Sequence, residues 1–289
     1  MKINSNQKLF MELKLILTDE IFEEFEKYIN FEKLQSENKE CILNELGKIL
    51  LKYNISNNIL ELSDYERILI NAEIEQKIND AFIEEFKSES KMLEENLREV
   101  INEQVNANNF IFGIDYDLKP VHENVLKKII NLKIDDKNYS DRLWEHKEDV
   151  AKRLKLEVDN FLNGKTSVND IYDIVNDKFS INDYNSKRLV NTEIARVQEF
   201  ANEIWRKNHD IKYVMYCATL DNKICKKCGQ YDGKVYETNK IPVNLPQHPF
   251  CRCTYLDLVS PDWRPKLRFD NESKQTIIWT DFNKWKEGR

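Results

Sequence analysis

The sequence predicts a mainly α-helical protein, with an N-terminal long-helix region followed by a small α+β module that carries a Cys/His loop. Three observations predict this. Six Gly and six Pro in 289 residues, against 33 % charged residues, leave few tight corners around which to build a sheet. Apolar residues recur at helical spacing almost without interruption from residue 6 to about 107. The period then changes to alternation at "IKYVMYCATLD", just before a segment that holds four of the six cysteines.

In the N-terminal region, Ile21, Phe22, Phe25, Tyr28 and Ile29 form one apolar stripe, and Ile42, Leu43, Leu46, Ile49 and Leu50 a second. Ser63, with Glu66 three residues on, is a capping box that opens a third helix. Its apolar positions Ile74, Ile78, Phe82, Phe86, Leu93, Leu97, Val100 and Ile101 carry it beyond ~40 residues, where an ordinary globular helix runs about 8 to 20. That length fits a bundle core, or a coiled coil with another subunit. "NANNFIFGIDYDLKP" then breaks the period through its Asn residues, Gly113 and Pro120. Shorter helices follow: Val121 to about Asn131, Trp144 to about Leu162, Val168 to Phe179, and Lys187 to Asn208. Gly164 stands where a helix C-terminal Gly belongs, and "TSVND" supplies capping residues for the next helix. In the strand, Tyr213, Met215 and Cys217 share one face, and Val214 and Tyr216 the other. The chain is thus read as a helical assembly region (1–120), a module of helices, short strands and a Cys/His loop (121–259), and an aromatic, basic C-terminal tail (260–289).

A hydrophobic content of 41 % is enough to bury a real core. The net charge of −7 argues against a surface that neutralises phosphate throughout, leaving local basic patches as the only route to nucleic acid. No run of about 18 apolar residues occurs, and the N-terminus has no continuous apolar core, so neither a membrane span nor a secretion signal is read. Synthesis in a reducing cytoplasm is expected, where clustered cysteines are more often metal ligands than disulfides.

The cysteines are spaced for metal. Cys225 and Cys228 form C-x2-C, so one tight turn can bring two thiolates to the same ion; Cys251 and Cys253 form C-x-C, with His248 three residues before Cys251. Tetrahedral Zn²⁺ takes four ligands, so four of these five would bind and the fifth would stand beside the site. A structural zinc would staple a loop that has little apolar content of its own. Two other readings stay open: two disulfides, or cysteines that merely pack. A catalytic metal would need an open coordination position and an adjacent acid, and the nearby acids are only Asp232 and Glu237. Asp221 and Asp232 themselves read as turn residues, with Gly233 taking positive φ. His248 acting as a base on Cys251 would need an orienting partner, whereas its place before Pro249 and C-x-C fits a metal corner. His122, His146 and His209 stand alone, and no site is assigned to them.

"RLVNTEIARVQEFAN" (188–202), "YCATLDNKICKKCGQYDGKVYE" and "LPQHPFCRC", in that order and with those gaps, resemble successive blocks of the minor head protein family of tailed bacteriophages, the Mu F-like or head-morphogenesis proteins. Upstream, "SDRLWEHKEDVAKRL…FLNGKTSVNDIYDIVNDKFS" is similar to the helical part of the same module, so the resemblance covers about 140 to 259. It implies a structural minor capsid protein rather than an enzyme. Such a protein enters the procapsid in a few copies, associates with the portal vertex, and acts in assembly, DNA packaging or DNA ejection. The implied partners are the portal protein and other head or scaffold proteins. The implied location is the virion, in the capsid interior or at the portal vertex, and the host cytoplasm during assembly. Some family members carry a toxin domain after the Cys/His block; here 36 residues (254–289) follow Cys253, short of the roughly 50 of an independent domain. The alternative function, a toxin-like effector enzyme such as a nuclease or ADP-ribosyltransferase, would instead require a cleft with a convergent acid or His and an open metal position. A host DNA-binding zinc-knuckle protein is disfavoured by the negative charge.

The resemblance also places Arg188, Thr192, Glu193 and Arg196 on one helix, as a buried polar bridge to the metal loop. In the tail, Arg264, Lys266, Arg268 and Lys284 interleave with Trp263, Trp279 and Trp285. They are candidates for non-specific contact with phage DNA or for docking on a protein partner.

Overall fold

The computed structural model describes residues 5–112, 121–258 and 260–288. In chain order, helices α1 (Ser5–Tyr28) and α2 (Glu32–Lys52), a hairpin of β1 (Ile55–Ser56) and β2 (Ile59–Leu60), the long α3 (Asp64–Phe112), α4 (Glu123–Ile130), α5 (Tyr139–Leu162) and α6 (Ile171–Asn208) lead into a region of short strands. That region comprises β3 (Tyr213–Cys217), the one-turn α7 (Lys226–Gly229), β4 (Val235–Glu237), β5 (Thr254–Leu258), the hairpin β6 (Leu267–Asp270) and β7 (Gln275–Ile278), and α8 (Phe282–Glu287). The mainly helical class with a small sheet-bearing module is as the sequence predicts.

Two helices run past their expected ends for one physical reason: polar residues that look like breaks are turned inward. α3 opens at the expected capping box, where Ser63 N donates to Glu66 Oε2 (3.0 Å) and Glu66 N to Ser63 Oγ (3.4 Å). It then continues through the Asn-rich stretch to Phe112, because Asn108 bonds Asn202 (2.8 Å) and Asn109 accepts from Trp205 Nε1 (2.8 Å). The rest of the predicted break, 113–120, lies outside the described residues. The two helices expected at 168–179 and 187–208 are one, α6, since Asn182 and Ser186 bond Glu85 (2.9 Å) and Glu89 (3.4 Å) instead of ending a helix.

The chain divides into two compact units, each built from separated segments: one from Met1–Tyr28, Glu94–Leu132 and Val190–Arg289, the other from Ile29–Leu93 and Lys133–Leu189. The three sequence segments divide the chain by pattern, the units by contact. The second unit is helical. Ile42, Leu46, Ile74, Ile78 and Phe82 pack against Val150, Leu154, Val158, Phe161, Val175 and Phe179, each fully buried large side chain contributing about 1.5–3 kcal/mol. Within this apolar bundle lies a polar layer: Lys147 Nζ donates to Glu85 (2.8 Å), Glu89 (2.6 Å) and Asn182 (3.0 Å).

The first unit is organised on the buried C-terminal stretch of α6 and a three-stranded antiparallel sheet of order β4-β3-β5. In its register Met215 faces Leu256 and Tyr216 faces Tyr255. Both sheet faces are covered, as the alternation in β3 requires. Met215, Cys217, Leu256 and Leu258 pack with Trp263 and Leu15 of α1, while Val214, Tyr216 and Tyr255 pack with Leu245, Cys228, Cys251 and Cys253. Helix α1 is fixed to the sheet by an ion pair between buried Lys14 and Asp257; Asp257 also meets Arg206 (3.4 Å), which bonds Glu199 (2.6 Å).

Candidate metal centre

Two arms of the first unit bring the thiols together. On the first, β3 runs into a turn held by Asp221, which accepts from Lys223 N (2.9 Å) and pairs with Arg252 (2.5 Å). Cys225 then caps α7, its Sγ accepting the Cys228 N–H at 3.3 Å, so the C-x2-C spacing is set by a single helical turn. On the second arm, "HPFC" forms a tight corner in which Cys251 N donates to His248 O (3.1 Å). Phe250 sits there at φ +61°, a left-handed conformation uncommon for a bulky residue. It is anchored from α6 by Thr192 Oγ1, which accepts the Phe250 N–H (3.3 Å). The corner turns His248 and Cys251 toward the knuckle, and Cys253 enters β5 alongside.

His248 Nε2 lies 3.3 Å from Cys225 Sγ and 3.3 Å from Cys228 Sγ, and Cys228 Sγ lies 4.0 Å from Cys251 Sγ. Cys225, Cys228 and His248 form one group with all ligand atoms within 4.8 Å of one another; Cys228, Cys251 and Cys253 form a second. A tetrahedron with metal–sulfur bonds near 2.3 Å has sulfur–sulfur edges of about 3.8 Å, so these separations fit an ion. His248 Nδ1 lies 2.8 Å from the Pro249 carbonyl, an oxygen that only accepts; Nδ1 therefore carries a proton and Nε2 is the atom turned to the sulfurs.

The electrostatics favour a cation. Burial raises the Cys225 thiol, but the Cys228 N–H and thiol together with His248 outweigh it and hold Cys225 below the ordinary thiol range. Hydrogen bonds from Cys228 and Cys253 hold Cys251 far lower, while Cys251 in turn pushes Cys228 up to about 12. Burial opposes charge on His248, but the Pro249 carbonyl and the Cys251 and Cys225 thiolates outweigh it and raise the imidazole. Thiolates gathered around an imidazole need positive charge, and a metal ion would take the place of the Nε2 proton. Two further groups border the sulfurs that spacing alone does not single out. Tyr216, from β3, accepts from Gln247 Nε2 (2.9 Å), and the same amide nitrogen lies 3.7 Å from Cys228 Sγ.

Cys41 is exposed and Cys217 is buried away from this group. Of the other histidines, His122 caps α4, His146 lies 3.4 Å from Arg188, and His209 stacks on Trp205. The expected polar bridge divides. Thr192 reaches the metal loop, but Arg196 pairs with Glu193 (2.6 Å) and donates to the carbonyls of Ile129 (2.8 Å) and Ile130 (3.1 Å) at the end of α4. Arg188 lies beside His146 (3.4 Å).

The tail is folded onto the first unit. Arg268, read as a DNA or partner contact, is only 3 % exposed and forks onto Asp232 (2.7 and 2.9 Å), so it is withdrawn from any phosphate. Its charge is spent inside the protein because Asp232 would otherwise be buried unpaired. Arg264, Lys266 and Lys284 are exposed.

Fold and site together define a helix-led α+β module closed by a Cys/His corner. Residues 146–256 match the family model described as Phage Mu protein F like protein, in agreement with the resemblance carried by the sequence blocks. No curated protein and no solved structure matches the chain. Among the described residues no helix is long and apolar enough to cross a membrane.

Proposed function

We propose that the chain is a structural minor head protein of a tailed bacteriophage that associates with the portal vertex, is carried in the virion and acts in procapsid assembly, DNA packaging or DNA ejection without catalysing a reaction. The observation that carries this is the Mu F-like match over 146–256, which spans the buried part of α6, the knuckle and the HPFC corner. The enzyme alternative calls for a cleft where an acid or His converges on an open metal position. The cleft of about 560 Å³ in the first unit is lined by Glu199, Glu203, Arg206 and Tyr255 but by none of the five sulfur or imidazole ligands. Mass spectrometry of purified particles tests the proposal: the protein should be present in mature virions and absent from procapsids assembled without portal. Its absence from virions would overturn it.

The Cys/His corner is a structural zinc clip in this proposal, held by Cys225, Cys228 and His248 with a fourth ligand from Cys251 or Cys253, to which Cys228 is joined. The ion would cross-link α7 to the HPFC corner. Purified protein should contain about one zinc per chain; Cys228→Ser, which removes the thiol common to both ligand groups, should lose it. Exposed Arg264, Lys266 and Lys284 leave room for weak, sequence-indifferent contact with phage DNA that fades steeply between about 50 and 200 mM salt.

A further inference from the structure

The turn that carries the first two thiols also carries the docking site of the C-terminal segment. α7 ends at Gly229, and a Cβ placed there would come within 2.5 Å of the Phe282 ring, so Phe282 lies directly on the knuckle backbone. Phe282 and Trp285 are buried with Leu220 and Ile224, and Ile224 also packs against the cluster containing Cys228, Cys251 and Cys253. A few residues on, Asp232 receives four hydrogen bonds: from Ala218 N (2.7 Å), from both arms of Arg268, and from Phe282 N (2.7 Å). Arg268 also donates to the Thr280 carbonyl (2.8 Å) and lies 4.7 Å from the Trp279 ring. Trp285 Nε1 bonds Asp270 (3.1 Å). The β6–β7 hairpin is held in addition by α1, where Asn271 bonds Asp19 (3.2 Å), but α8 sits on the knuckle and the Asp232 turn, and α7 is too short to hold its shape without what it binds.

We infer that metal binding at the Cys/His corner and docking of the C-terminal strap are thermodynamically coupled: the ion fixes the knuckle on which Phe282 and Trp285 sit, and its loss releases residues 275–288. The released segment exposes three aromatic side chains, Trp279, Phe282 and Trp285, beside Lys284 and Lys286, and takes the Phe282 N–H away from Asp232. Metal occupancy therefore decides whether this aromatic, basic strap is part of the fold or available to a partner. The inference rests on the zinc-clip reading, and coupling must be reciprocal: whatever the metal adds to docking, docking adds to metal affinity.

The test uses the full chain under reducing conditions, with zinc as the probe. Hydrogen exchange of peptides covering 275–288 is compared between zinc-loaded and chelator-treated protein, with peptides from 139–162 as an internal control. Release should speed exchange in the strap at least tenfold, leave the control unchanged, and reverse when zinc is restored. Phe282→Ala, which touches no ligand atom, should weaken zinc affinity by about fivefold or more in competition with a chromophoric chelator. Zinc binding with equal strap exchange in both states, or with unchanged affinity in Phe282→Ala, overturns the coupling and leaves the clip standing. Failure of the unmodified chain to bind zinc overturns both.

Discussion

Lys147 shows how much a single residue decides in the helical unit. It is buried with two carboxylates, and Glu89 is in addition bonded by Gln35 (2.7 Å), while Glu85 accepts from Asn38 (2.9 Å). Burial is what raises the Glu89 carboxyl above the ordinary range, and the Lys147 charge is the main force opposing it. Lys147→Met should therefore destabilise by about 3–5 kcal/mol in chemical denaturation, because it strands buried negative charge. Adding Glu85→Gln and Glu89→Gln, which removes the charge but keeps an oxygen for Asn182, Gln35 and Ser186 to donate to, should restore part of that loss. In the other unit, burial pushes the Asp19 carboxyl up to about 6, against the Asn271 amide and Arg252. Its unfolded value is about 3.9, so the folded state holds a proton here that the unfolded state has lost. The stability this adds is complete below pH ~4 and disappears as pH rises through about 6. The melting temperature of the wild type relative to Asp19→Asn should fall between pH 4 and 7.

At the scale of elements, two glycines make opposite predictions. Gly164 ends α5 at φ +69°, with the Ile59 Cγ2 methyl 2.8 Å from where a Cβ would be, so Gly164→Ala meets both backbone strain and a clash. A loss of about 1–3 kcal/mol is expected. Gly47 lies inside α2 with nothing near its missing Cβ, and Gly47→Ala should gain about 0.5–1 kcal/mol. Thermal denaturation of the two variants checks both. Gly164 is legible in the sequence, as are the start of α3 at Ser63 and Glu66 and the five metal-ligand candidates, because caps and chelating turns are local chemistry. The continuity of α6 is not. Asn182 and Ser186 look like a break until Glu85 and Glu89, about a hundred positions away, are seen to accept from them. Arg268 misleads for the same reason: a basic residue among aromatics reads alike whether it faces solvent or a buried Asp. The left-handed Phe250 and the Gln247–Tyr216 contact leave no trace in the spacing.

At the scale of the whole molecule, the N-terminal region cannot be treated as an appendage. Lys14 and Leu15 of α1 meet β5, Phe22 lies under Arg252 (5.5 Å), and Asp19 meets Asn271 (3.2 Å) in the turn between β6 and β7. Asn108 and Gln104 of α3 bond Asn202 and Gln198 of α6. A fragment beginning at residue 121 would take Lys14 from Asp257, leaving it only Arg206, and uncover one face of the sheet. Expressed alone, it should show no cooperative thermal transition, whereas the full chain carrying Gly47→Ala should keep one under the same conditions.

The pairing of Lys14 with Asp257 spans 243 positions, and this sets a delay during synthesis. At about 5–20 residues per second, α1 leaves the ribosome roughly 12 to 50 s before its strand partner is made. Throughout that interval Leu15 and Phe22 have no sheet to cover, and the lysine has no carboxylate. Docking of α1 on the sheet therefore waits until β5 has been made, however early the helix itself can form.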